Sequence, residues 1–134
     1  MTRYQRVNAT ESEVNPVVAV IRFFRAFDYF DKIKTFGDVP WYEKDLTTAD
    51  IDELYKARDD RDFVLGKIIE DLEFAIEWLP EKSAAEVGAL HKDAARTFLA
   101  RVCYIMEHIK SIIMFQHHLH LRNYYKKRRL LPKR

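Results

Sequence analysis

The stretch from residue 16 to residue 34 restricts the fold more than any other part of this chain. Val17, Val20, Ile21, Phe24 and Phe27 recur at spacings of three and four, the signature of one face of an α-helix. Val18, Phe23, Tyr29, Phe30 and Ile33 widen that face well past the usual stripe. A helix apolar over so much of its circumference is buried on several sides. A chain of 134 residues has room for one core, so the surplus apolar faces are expected to meet another subunit. Asn15 reads as the N-cap of this helix, with Pro16 in the first helical position, where its missing N–H costs nothing. The end is expected near Lys34, with Gly37 and Pro40 beyond it.

The same period returns downstream. Residues 35–46 read as an ordered loop with Trp41 and Tyr42 tucked against the body. Thr47 and Asp50 carry a capping signal for a short amphipathic helix through Ile51, Leu54, Tyr55 and Arg58. Phe63, Leu65, Ile68, Ile69, Leu72, Ile76 and Leu79 form a further helix that Pro80 stops. Ser83 and Glu86 make a full capping box, and a last helix is expected from about Ala84 to Arg129. At ~1.5 Å per residue it would be ~65–70 Å long, so either it bends near His91–Lys92–Asp93 or its C-terminal half projects. Three glycines leave little for a turn-rich β fold, and no strand is evident. The expectation is an all-α fold: an elongated helical bundle of four to five helices with a long basic C-terminal helix. Residues 1–15 are read as an N-terminal arm, and residues 16–134 as a single helical domain with a basic C-terminal extension.

Chemistry is harder to find. A single cysteine excludes an internal disulfide and any multi-cysteine zinc site. Cys103 with His108 has no nucleophile signature, and Cys103 reads as a small buried core residue. His117 and His120 share a helical face, but no acidic residue follows Glu107 to complete a metal site. No glutamate has a histidine three residues on, which rules out the usual di-iron pattern. Asp59, Asp60 and Asp62, and Glu70, Asp71, Glu73 and Glu77, read as solvated helix faces, since no apolar pocket surrounds them. The chain is expected to be non-enzymatic, with no cofactor and no metal.

Charge is the strongest remaining feature. The net charge of +2 conceals +8 in residues 108–134 and −6 in the rest. Residues 38–93 hold 16 Asp and Glu against 7 Lys and Arg. The candidate nucleic-acid-binding residues are Arg3, Arg6, Lys110, Arg122, Tyr124, Tyr125, Lys126, Lys127, Arg128, Arg129, Lys133 and Arg134. Lysine and arginine pair with phosphates and release counterions, while tyrosines donate to phosphate or stack on bases. No zinc-finger, RNP or KH motif is present, so binding directed at the backbone is expected, to double-stranded DNA ahead of RNA. The alternatives are a solvated or self-docking basic tail and an acidic membrane surface.

The arm with Arg3 and Arg6, the aromatic helix over residues 23–30 and the basic helix over residues 122–129 together resemble the DNA-wrapping major coat proteins of filamentous archaeal viruses. The likeness is architectural and contains no diagnostic motif. It implies a coat protein that packages DNA in a filamentous virion, pairs with a similar helical subunit as a homo- or hetero-oligomer, and is assembled in the host cytoplasm. The acidic middle would then face away from DNA. Two other classes stand beside it: a small helical subunit of a nucleoprotein complex such as a CRISPR effector, and a metal- or carboxylate-dependent enzyme. The N-terminus has no apolar region of the secretory kind, and the most apolar stretch is broken by Arg22 and Arg25, so no membrane span is expected. Outside a virion, such a chain would be cytoplasmic.

Overall fold

The computed structural model describes residues 10–44 and 46–129, with side chains as far as Gln116. Four helices follow in order: α1 (Glu11–Phe36), α2 (Ile51–Leu54), α3 (Arg61–Trp78) and α4 (Lys92–Arg129). The all-α expectation holds. Among the described residues, β pairing is confined to an isolated antiparallel bridge between Val39 and Asp59. The chain divides into two compact units, residues 1–99 and residues 100–134.

Helix α1 begins at Glu11, five residues before Pro16, so the reading of Asn15 as N-cap is corrected. Thr10 is the N-cap, and the carboxylate of Glu13 accepts from its N–H at 3.0 Å and its hydroxyl at 2.8 Å. These bonds hold Glu13 below its ordinary pKa, the hydroxyl contributing most. Pro16 therefore lies inside the helix, where its missing N–H leaves the carbonyl of exposed Ser12 open to water. The other end is set by Gly37. Its N–H donates to the carbonyl of Ile33 at 3.1 Å, and its φ of 76° lies in the left-handed region. A Cβ there would stand 2.8 Å from Nη2 of Arg61.

Helix α1 packs along α3. Ala19, Phe23, Ala26, Phe30 and Ile33 of α1 are buried, as are Val64, Ile68, Leu72 and Ala75 of α3. The first turns of α4 close this core: the Phe98 ring lies 5.5 Å from Phe23, 5.3 Å from Phe27 and 5.6 Å from Phe30. Offset and edge-on rings at such distances add to the burial itself. The capping box read at Ser83 starts no helix. Residues 82–84 and 87–88 form turns, with Gly88 at a φ of 85°, and α4 starts at Lys92. In the second unit, Val102 and Met106 are buried and Tyr104 stacks on His108 at 5.2 Å. Cys103 is exposed, which corrects its reading as a core residue.

Among the described residues, one charged side chain lies buried in the core. Asp71 of α3 is 1% exposed and meets two arginines of α1. Arg25 forks onto it, Nε to Oδ2 at 2.6 Å and Nη2 to Oδ1 at 2.7 Å, while Nε of Arg22 sits 3.0 Å from Oδ1. Burial opposes the charge on Arg25, but the hydrogen bonds and charge of Asp71 outweigh it and hold the guanidinium above its ordinary pKa.

Replacing Asp71 with alanine should cost about 2–3 kcal/mol in urea unfolding. That is below the usual loss for a broken buried pair because water reaches both guanidiniums. Gly37→Ala should lower stability by about 1–2 kcal/mol through its backbone conformation. If either variant melts like the parent, the corresponding contact is not structural.

Candidate functional site

The segment between α1 and α3 is irregular in backbone yet closely tied. Trp41 is 4% exposed, its ring 4.3 Å from that of Tyr29 and beneath the Arg25 guanidinium at 4.8 Å. Its N–H donates to Asp59 at 2.7 Å and its indole N–H to Glu43 at 3.1 Å. The Tyr29 hydroxyl accepts from the N–H of Tyr42 at 3.0 Å and donates to the carbonyl of Pro40 at 3.3 Å. Burial pushes the Tyr29 phenol up from its usual range, against the pull of the Tyr42 N–H. Lys56 donates to the carbonyl of Trp41, pairs with Asp59 at 2.9 Å and lies 5.1 Å over the Tyr42 ring.

These bonds present an outer surface of aromatic and polar groups. The Tyr42 hydroxyl donates to the carbonyl of Leu54 at 3.2 Å, fixing the half-buried ring beside the end of α2. The next residue, Tyr55, is 84% exposed. Lys44 and Glu53 pair loosely across the same segment at 3.6 Å. Asp50 bonds the N–H and hydroxyl of Thr47, which lowers its pKa and holds the turn into α2. Among the described residues, no cluster of three or more His, Cys, Asp or Glu is arranged to hold a metal.

The residues picked from charge fall elsewhere. Lys110 lies half-buried on α4. Arg122, Tyr124, Tyr125, Lys126, Lys127, Arg128 and Arg129 belong to the α4 backbone, and their side chains lie outside the described residues. Arg3, Arg6, Lys133 and Arg134 lie wholly outside them, and the side chains of His117 and His120 do as well. Asp71, grouped with Glu70, Glu73 and Glu77 as solvated, is buried, whereas Glu73 and Glu77 are exposed. The signal for Asp71 was present in Arg22 and Arg25, two arginines set one turn apart in an otherwise apolar helix.

Comparison with known proteins decides the family. Residues 3–104 match the SusD-like model described as starch-binding and associating with the outer membrane. The chain belongs to the SusD-like family. It is 35% identical over 97 residues to SusD-like protein P2 of Formosa agariphila, which covers 72% of this chain and 19% of that protein. A SusD-like carbohydrate-binding protein of Bacteroides fragilis superposes with a TM-score of 0.67 at 27% identity, covering 77% of this chain and 20% of the other. A laminarin-binding SusD-like protein gives a TM-score of 0.61 at 25% identity, covering 75% and 22%. The chain thus spans about a fifth of the length of these relatives.

Membership overturns the likeness to archaeal virus coat proteins, and with it the DNA-packaging function, the nucleic-acid and coat-subunit partners, and the virion or cytoplasmic location. The CRISPR-subunit and metal- or carboxylate-enzyme readings fall on the same ground. The physical reason is that a basic end is a property many surfaces share, whereas the SusD-like match extends over three helices and the loop between them. The family is described by starch binding and association with the outer membrane, which agrees with the non-enzymatic expectation. Among the described residues, no helix is long and apolar enough to cross a membrane.

The loop should loosen in acid. Asp59 is held below its ordinary pKa of 3.8, first by the Trp41 N–H and then by Lys56, and Glu43 is lowered from 4.5, first by the Trp41 indole. Depressed carboxylates contribute stability that is present above their unfolded values and lost as pH falls through the folded ones. Trp41 fluorescence, read in a Trp78→Phe background, should therefore change as pH drops below about 4. Asp59→Asn with Glu43→Gln should flatten that change. A transition that persists unaltered in the double variant would assign it to other carboxylates.

Proposed function

We propose that this chain is a non-catalytic glycan-binding component associated with the bacterial outer membrane, and that its ligand is a neutral glucan. The observation that carries this reading is the SusD-like match over residues 3–104, and the laminarin-binding relative supports the choice of ligand. Starch and laminarin are both uncharged glucans, so ion pairing contributes little to their recognition. An exposed ring covers the C–H face of a sugar and displaces water, while neighbouring polar groups bond its hydroxyls. Tyr55, with Tyr42, Lys44 and Glu53 nearby along the 41–55 segment, supplies both kinds of contact.

Calorimetry with laminarin and with starch tests the reading. Affinity should change by less than about twofold over a tenfold increase in salt, where phosphate-directed binding would fall by orders of magnitude. Tyr55→Ala should weaken binding by about fivefold or more, the scale of one lost stacking contact. Absence of binding to either glucan would refute the reading. Binding that Tyr55→Ala leaves untouched would move the contact surface off this loop.

A further inference from the structure

The cations gathered toward the end of α4 play no part in the glucan reading, and neither does the apolar turn before them. In the second unit Val102 and Met106 are buried, but Ile112, Ile113, Met114 and Phe115 are 54%, 48%, 70% and 66% exposed. Four successive positions at 100° each go right round a helix, so this turn has no side suited to water. The α4 backbone runs on without a break to Arg129. Its sequence there supplies Arg122, Lys126, Lys127, Arg128 and Arg129, and no acidic residue follows Glu107. The family match stops at residue 104, so its description does not extend to this segment. We infer that residues 109–129 form an interfacial helix that docks on an anionic phospholipid surface.

Charge and apolarity together select that occupant. A phosphate polymer would pair with the cations but leave Ile112, Met114 and Phe115 in water. A second copy pairing through the same segment would set +8 against +8, with no carboxylate in the segment to compensate. An anionic bilayer takes both features. Head-group phosphates attract the lysines and arginines, and the acyl boundary below them receives the apolar turn. Tyr124 and Tyr125 belong to a residue type enriched at that level. The same charges keep the helix at the surface, since among the described residues no helix is long and apolar enough to cross a membrane. The inference rests on the proposed location at the outer membrane and not on the choice of glucan.

Flotation of the full chain with lipid vesicles tests it. The chain should rise with phosphatidylcholine vesicles holding about a quarter phosphatidylglycerol, and at least about a hundredfold less with phosphatidylcholine alone. Lys126→Gln, Lys127→Gln, Arg128→Gln and Arg129→Gln together should lower the first partition by about a hundredfold or more, at roughly fivefold per cation. Ile112→Gln with Phe115→Gln should lower it by about tenfold or more at unchanged charge. Circular dichroism checks that each variant keeps its helices. Salt dependence needs no variant, and partition of the parent should fall by at least about tenfold for a tenfold rise in salt. The inference fails if the parent does not float, or if it floats equally with both vesicles. It fails too if the Ile112→Gln, Phe115→Gln pair changes nothing, which would mark a contact made by charge alone. Laminarin affinity is measured on the same preparations. A parent that floats but binds neither glucan refutes the glucan reading alone, and one that binds laminarin without floating refutes the interfacial helix alone.

Discussion

A single buried carboxylate organises the first unit of this protein. Bringing Asp71 out of water carries a large desolvation cost, which is offset only if charge and hydrogen bonds replace the lost hydration. The fork from Arg25 and the third contact from Arg22 do so with good geometry. Each guanidinium also lies over a ring, Arg22 over Phe74 at 4.3 Å and Arg25 over Trp41 at 4.8 Å. Their planar cations are weakly hydrated, so stacking and ion pairing use different faces of the same group without conflict. The consequence is registry. Alanine and valine along α1 and α3 would tolerate small slides, whereas the fork tolerates almost none.

That registry reaches the candidate site through Trp41. The ring touches both Tyr29 and Arg25 of α1, and its main-chain N–H is held by Asp59, just before α3. Both ends of the irregular segment are thus fixed to the helices that Asp71 aligns. The loop buries Trp41 and ties its backbone with polar bonds, while the Tyr55 ring stays exposed.

Much of the fold was legible from spacing. The apolar periods mark α1, α3 and the body of α4, and Trp41 reads correctly as tucked inward. The errors have local causes. Thr10 and Glu13 cap α1 from within a stretch too polar for periodicity to register, while Asn15 and Pro16 offered a better-looking start one turn later. Ser83 and Glu86 match a capping box, but Gly88 lies in the left-handed region and the segment turns. Asp71 was hidden among acidic neighbours because periodicity ranks residues by type and cannot see that two arginines from another helix wait opposite. The site was less legible than the fold. Charge imbalance is conspicuous in a sequence, and it pointed to polyanions. The family match carries no such imprint, since Tyr42 and Tyr55 look like any other aromatic residues in the sequence.

The two-sided character of α1 was visible at once, and the structure changes its meaning. Arg22 and Arg25 interrupt the apolar run and look like solvated breaks in it. They lie instead on the flank between the buried side and the bare side, turned onto Asp71. With both cations occupied there, the helix keeps its hold on α3 while Val17, Ile21 and Phe24 stay exposed beside Glu13 and Asp28. Helix α1 also turns Asp28, Asp31 and Lys32 outward, as α3 does Glu70, Glu73 and Glu77.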